Sequence, residues 1–366
     1  MTGIWKQSYG RRLDDFEVGA CYAHPWDVTV DDGMLALFQA AFQDATPTYA
    51  SRVYAQALGF EERPVHPLLL LNLGLSFSVH DVSEQAIAHL AYIDVRFPEA
   101  CHPGDTLTAQ SRVLDVKPSA KGDRGVVEVR TLVVNQLGKI VCRFDRKALV
   151  RAGSVSGRPS DPRSPPTLIS AEAEASEALP QELRKGVKAP ARNGGFSGFF
   201  EDFDVGDVVF HTVGKTVGES EHMMLTQLLR NSHPIHFDEV YCKQHSFAKT
   251  RVVYGGLVLS WVLALTSRDL TGNAVWDLGL DAGAHPNAVL AGDTLYAASK
   301  IVKKEDAGPH AGVMTLRVVG TKNTTPEELF LSPGGLFEAE LNKTQTKIQD
   351  KVLEITRRLL VRKRPT

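Results

Sequence analysis

Two imidazoles and a carboxamide crowd into six residues, Asn231-Ser232-His233-Pro234-Ile235-His236, and Tyr254-Gly255-Gly256-Leu257 follows soon after. A histidine titrates near neutrality, so either imidazole suits proton transfer. The carboxamide of Asn231 holds hydrogen-bond partners but does not titrate near neutral pH. Gly255 and Gly256 fall in the apolar stretch Val252 to Leu265, which suits a buried helix, and glycine permits close backbone approach to a ligand. Unpaired N–H groups at a helix start attract negative charge. Plainer readings accompany each of these. A lone loop histidine is more often structural than catalytic, and a glycine pair also serves tight helix–sheet packing. His233 to Asp238 lacks the spacing of a HExxH helix and has no second ligand cluster, so no metal is expected. Arg230, Lys243, Lys249 and Arg251 surround the stretch in sequence.

These residues need a scaffold, and the chain writes one twice. Asp15-Phe16-Glu17-Val18-Gly19 returns as Asp202-Phe203-Asp204-Val205-Gly206, an offset of 187. At the same offset, Gln43 to Tyr49 falls on Arg230 to His236. Pro103-Gly104-Asp105-Thr106-Leu107 returns at offset 188 as Ala291-Gly292-Asp293-Thr294-Leu295, and Leu149-Val150-Arg151 at offset 211 as Leu360-Val361-Arg362. The late jump implies an insertion, placed at Thr324 to Asp350. We therefore expect an N-terminal copy over 1–151, a linker over 152–198 that is partly helical at Ser170 to Leu183, and a C-terminal copy over 199–366.

Each copy should hold a short strand, a polar helix, a proline-containing loop and a long apolar helix (Pro67 to His80, Gly255 to Arg268). Alternating strands follow: Thr106 to Val116, Gly125 to Asn135 and Ile140 to Val150, then Thr294 to Val302 and Val313 to Thr321. A helix apolar on nearly all sides beside antiparallel strands predicts an α+β fold, a curved sheet wrapped around a helix.

Composition narrows the function classes. Lys plus Arg number 41 and Asp plus Glu 43, so the net charge of -2 gives no footing for nucleic acid or a membrane surface. The four cysteines are scattered without a CxxC, no secretory signal is visible, and no apolar stretch is long enough to span a bilayer. A cytoplasmic protein is expected.

The Asn231–His236 loop followed by Tyr254-Gly255-Gly256-Leu257 resembles the MaoC-like enoyl-CoA hydratases in their two-copy, double hot-dog form. Their loop reads Asp-x-Asn-Pro-x-His, and a glycine then opens the central helix. Asp202 to Gly206, Glu221-His222-Met223 and Ala291 to Leu295 carry a nearer likeness to the mesaconyl-CoA hydratase branch. This chain departs from the loop at Asn231, usually Asp, and His233, usually Asn. The resemblance implies an enoyl-CoA thioester as substrate, no cofactor, and a possible homo-oligomer. It makes His236 the base that deprotonates water, and the Gly255 and Gly256 N–H groups the oxyanion donors. Asn231 is left to position water, with His236 performing both proton transfers unless His233 or Glu221 supplies a second acid. Arg230, His233, Tyr254 and Arg251 are the substrate-binding candidates, with Arg251 first for a carboxylate because of its fork geometry. The first copy has Asp44 and Tyr49 at the loop positions and Pro67 at the helix start, so its site is expected to be degenerate. A fatty enoyl-CoA (R)-hydratase, an acyl-CoA thioesterase and a non-catalytic acyl-CoA binder are the competing functions.

Overall fold

The computed structural model describes residues 8–155, 179–187, 198–331, 335–340 and 347–365. The first half has strands β1 Cys21–Thr29, β2 Ala86–Arg96, β3 Thr106–Pro118, β4 Arg124–Asn135 and β5 Ile140–Arg151. The second has β6 Val208–Thr216, β7 Ala274–Ala284, β8 Thr294–Asp306, β9 Ala311–Lys322 and β10 Lys351–Arg362. They form one antiparallel sheet of order β1-β3-β4-β5-β2-β7-β10-β9-β8-β6. Read inward from either edge, the two halves have the same strand order. They meet where β2 pairs β7, with Tyr92 opposite Gly283 and Val95 opposite Leu280.

Each half wraps one apolar helix. In the first half, α1 Asp32–Phe42 and α2 Arg52–Leu58 precede the central α3 Pro67–Ser78; in the second, α4 Glu219–Leu228 and α5 Glu239–His245 precede the central α6 Gly255–Leu265. Every residue of α3 is buried, and α6 is buried from Gly256 to Ala264. Such a helix has no polar face to give to water, so a sheet must cover it. β4 answers with near-strict alternation of buried and half-buried residues. The two helices touch through Asn72, whose amide donates to Ser260 at 2.9 Å. Close contact there depends on Gly256: a Cβ on it would lie 1.9 Å from Asn72 Oδ1. This is the double hot-dog architecture that the resemblance implies.

The sequence offsets recur in the elements. α3 and α6 begin at 67 and 255, β4 and β9 at 124 and 311, and β5 and β10 at 140 and 351. Within the segment Thr324 to Asp350 lies a short helix, α7 Pro326–Phe330. Leu336 and Ile348 from the same segment pack on Ala298 and Val319, on the sheet face turned away from the central helix. Of the interval between the halves, residues 179–187 show one 3-10 turn, Gln181–Leu183; most of the helical reading of Ser170 to Leu183 lies outside the described residues. The sequence reading named no strand directly after either long helix. β2 and β7 occupy those places. β7 opens with four consecutive buried residues, and β2 shows no clean alternation, so the period-two signal fails in both.

Candidate functional site

A cavity of about 350 Å³ opens between the halves. The second half contributes Asn231, His233 and His236 from the loop, Tyr254 and Gly255 from the start of α6, and His285 from the end of β7; the first half contributes His89, Tyr92 and Arg146.

The loop folds on itself through its polar atoms. Asn231 is buried, and its Oδ1 accepts from the His233 N–H at 3.0 Å, leaving the NH₂ to face other partners. His233 caps the 3-10 turn Pro234–His236, its Nδ1 accepting from the Ile235 N–H at 3.1 Å. A neutral His233 therefore carries its proton on Nε2. His236 has the opposite tautomer. Its Nδ1 lies 2.8 Å from the Val252 carbonyl, which only accepts, so Nδ1 is protonated and Nε2 keeps a lone pair. Burial pulls the His236 imidazole down to about 3, reinforced by His233, and burial alone pulls His233 down to about 4. Both rings are neutral at pH 7. The His236 ring lies 5.5 Å from Tyr254, whose phenol burial pushes up to about 12.

The two glycines divide their labour. Neither the Gly255 nor the Gly256 N–H has a hydrogen-bond partner among the described residues, as the first turn of a helix requires. Gly255 lines the cavity, and a Cβ there would lie 3.0 Å from His285 Nε2. Gly256 lies behind it against Asn72 and is no part of the cavity wall. His285 continues the wall: its Nδ1 meets the Val352 carbonyl at 3.1 Å, and its Nε2 meets the Tyr92 hydroxyl at 3.1 Å. With Nδ1 protonated by the same logic, Tyr92 donates to Nε2.

The expected cations are elsewhere. Arg251 Nε lies 3.3 Å from Glu239, Nη2 contacts Glu219, and Nη1 meets Met223 Sδ, so this guanidinium is committed within its own half. Arg230 and Lys249 are exposed, with left-handed backbones, and Lys243 is exposed beside Glu239. None of the four lines the cavity. Glu221, a candidate second acid, is held by Lys215 at 2.9 Å and caps the start of α4. The cation in the wall is Arg146 of β5, only 3% exposed. Sequence reasoning missed it together with His89, Tyr92 and His285, because all four sit on or beside strands of the sheet, far from the loop motif. Among the described residues no group of three or more potential metal ligands is present, and no helix is long and apolar enough to cross a membrane.

The equivalent place in the first half is filled. His66 Nε2 lies 3.3 Å from Asp44, His66 Nδ1 accepts the Leu68 N–H, and Pro67 has no N–H to offer. Tyr49 is buried, its hydroxyl accepting from the Asp277 N–H at 3.0 Å. Arg357 closes onto Asp277, with Nε at 3.1 Å and Nη2 at 2.5 Å from Oδ2. Only about 20 Å³ remains open beside Asp44, Tyr49 and His66.

Residues 5–185 match the family model described as mesaconyl-CoA hydratase, and residues 203–323 match that of the MaoC like domain. The mesaconyl-CoA hydratase of Cereibacter sphaeroides is 33% identical over 91% of this chain and 95% of its own. The β-methylmalyl-CoA dehydratase of Chloroflexus aurantiacus is 30% identical over 87% of this chain and 90% of its own. Among solved structures, a putative MaoC domain protein dehydratase from Chloroflexus aurantiacus superposes with a TM-score of 0.81 at 28% identity, covering 97% of this chain and 98% of the other. A Mycobacterium tuberculosis protein described as a double hot-dog fold superposes at 0.68 and 21% identity over 97% and 98% of the two chains, a likeness of fold alone.

Proposed function

This chain belongs to the mesaconyl-CoA hydratase family of MaoC-like proteins, and from that premise we propose that it hydrates mesaconyl-CoA reversibly to β-methylmalyl-CoA. The observation that carries the chemistry is His236: its Nδ1 is pinned to the Val252 carbonyl, so Nε2 is a free base in the cavity that Gly255 also lines.

The thioester oxygen takes the Gly255 N–H, where negative charge develops as water adds to the double bond. The Asn231 NH₂ holds the water oxygen. His236 Nε2 removes one water proton while the oxygen bonds to Cβ, and the π electrons move onto the thioester as an enolate. The transient imidazolium is strongly acidic, because the same burial that lowers the affinity of Nε2 for a proton favours its return. It gives that proton to Cα, and the enzyme ends as it began. One residue thus serves as base and then acid, so Asn231 need not titrate. His233 presents Nε2–H as a fixed donor to the acyl group, and Tyr254 packs against the His236 ring. The C-terminal half is the catalytic one in this reading, and the N-terminal half supplies the opposite wall.

The test is loss of enoyl-thioester absorbance on adding the protein to mesaconyl-CoA, with crotonyl-CoA and the His236→Ala variant alongside. Fast loss with mesaconyl-CoA that falls about 10²- to 10⁴-fold in the variant is the expected result, as for removal of a general base. Turnover of crotonyl-CoA alone would keep the chemistry and discard the substrate. Release of free CoA would make the protein a thioesterase.

A further inference from the structure

Arg146 is a buried guanidinium without a carboxylate. Its Nη2 donates to the Ser78 carbonyl and hydroxyl, and Nη1 to the Ser83 hydroxyl; Nε has no partner. Among the described residues no Asp or Glu pairs with it. Beside it, both ring nitrogens of His89 are buried without a partner. A buried cation without a compensating anion is strongly disfavoured. A fold keeps one where something else supplies the anion.

The duplication provides the control. At offset 211 Arg146 corresponds to Arg357, and at offset 188 His89 corresponds to Asp277. The strand pairings agree: Tyr92 lies opposite Arg146 as Leu280 lies opposite Arg357. In the filled first-half site the arginine is neutralised by its aspartate. In the open site the same arginine faces histidine where the aspartate would be. Three further links place this cation on the reacting wall. Tyr92 shares the strand register of Arg146, its hydroxyl meets His285, and His285 abuts Gly255.

Resting on the mesaconyl-CoA reading, we propose that Arg146, with the His89 ring beside it, anchors the free carboxylate of a dicarboxylic acyl-CoA and so sets the substrate class. In mesaconyl-CoA that carboxylate is bonded to the carbon that water attacks. Its anchor must therefore lie within the catalytic cavity, as Arg146 does, and not at the surface with Arg230. A carboxylate bound there replaces the ion pair that Asp277 makes in the other half. The His89 ring stays neutral, since burial and the neighbouring Arg146 hold it well below its usual range. It leaves the guanidinium charge uncancelled.

The test compares binding of methylsuccinyl-CoA and butyryl-CoA by calorimetry, with turnover of mesaconyl-CoA and crotonyl-CoA, in the intact chain and in Arg146→Met and His89→Asp. Arg146→Met should lose affinity for the dicarboxylic ligand about 10- to 100-fold more than for butyryl-CoA, the worth of charge-assisted hydrogen bonds. Its melting temperature should hold or rise, because a buried unpaired charge has gone. His89→Asp should reproduce the loss with Arg146 intact, by rebuilding the pair that closes the other site. Equal loss for both ligands, or retention of the dicarboxylic preference in Arg146→Met, overturns the anchor while leaving the hydratase reading in place. An unmodified chain that prefers neither ligand overturns both.

Discussion

An ordinary histidine base would lose activity below neutrality; His236 should not. Its imidazole is held at about 3, first by burial and then by His233, against a usual value near 6.5. The perturbation is pH alone. At pH 5.5 a base of pKa 6.5 is neutral in about one molecule in ten, so kcat/KM would fall about tenfold from its plateau. A base near 3 remains almost wholly neutral there, and kcat/KM per folded molecule stays flat. Stability moves the other way. His236, His233 and His285, the last two held at about 4, bind protons more weakly folded than unfolded. Their contribution is complete above about pH 6.5 and is lost as pH falls from there toward 4. At pH 5.5 each costs about 1.4 kcal/mol, about 4 kcal/mol for the three, which a protein of typical stability survives. The assay is kcat/KM for mesaconyl-CoA from pH 8 to 5.5, with circular dichroism at each pH to count folded molecules. A decline through a single pKa near 6.5 with the fold intact would refute the assignment of a buried neutral His236 as base.

Three further outcomes follow from the same geometry. Gly256→Ala drives a Cβ to 1.9 Å from Asn72 Oδ1, so it should destabilise by about 1–3 kcal/mol and lower the melting temperature, with Asn72→Ala in the same chain relieving part of the loss. Gly255→Ala meets only the tip of His285 at 3.0 Å, so it should lower kcat/KM while the melting temperature holds, read by steady-state kinetics beside a thermal melt. Asn231→Ala removes the acceptor of the buried His233 N–H and the donor to water, costing about 1–3 kcal/mol of stability and most of kcat; full turnover there, together with loss in His233→Ala, would reverse the two roles.

What the sequence disclosed is what lies close together in it. The offsets of 187, 188 and 211 name the repeat, and the loop and helix start stand 18 residues apart between His236 and Tyr254. The wall facing them comes from β2 and β5 of the other half. In β2 the period-two pattern is blurred, because only Tyr92 and Val95 are fully buried there; β5 is legible as a strand, but nothing in its pattern singles out Arg146. Arg251 drew attention because it lies near the motif and its fork geometry suits a carboxylate, yet neither feature says anything of Glu219 and Glu239, which hold it. Gly256 and Gly255 look interchangeable as letters. Only the crossing of α6 over Asn72 separates the packing residue from the one that faces the cavity. Arg146 was within reach of the repeat arithmetic, since Leu149 to Arg151 already fixes the offset that carries it onto Arg357.

The two sites of this fold are each assembled from both halves, which makes the loss of one a structural gain for the other. A loop and helix start from one half face the β2- or β7-type strand of its neighbour, so neither half holds a complete site. Where the first-half loop meets β7, the charged and polar side chains face one another: Asp44 faces His66, Tyr49 accepts from the Asp277 backbone, and Arg357 closes on the Asp277 side chain. Filling that site ties the halves together through hydrogen bonds, Thr46 to Thr271, Thr48 to the Ala274 carbonyl and the Asp277 N–H to Tyr49, while the Arg357–Asp277 pair joins β10 to β7. Among the described residues the second site leaves Arg146 without an acid, the His89 ring nitrogens without a hydrogen-bond partner, and the Gly255 N–H and His236 Nε2 free beside the cavity. An open, unsatisfied site is costly to hold in shape. With both copies in one chain, sequence change can fall on one site alone, and the filled site can carry the rigidity that the open one needs in order to wait for its substrate.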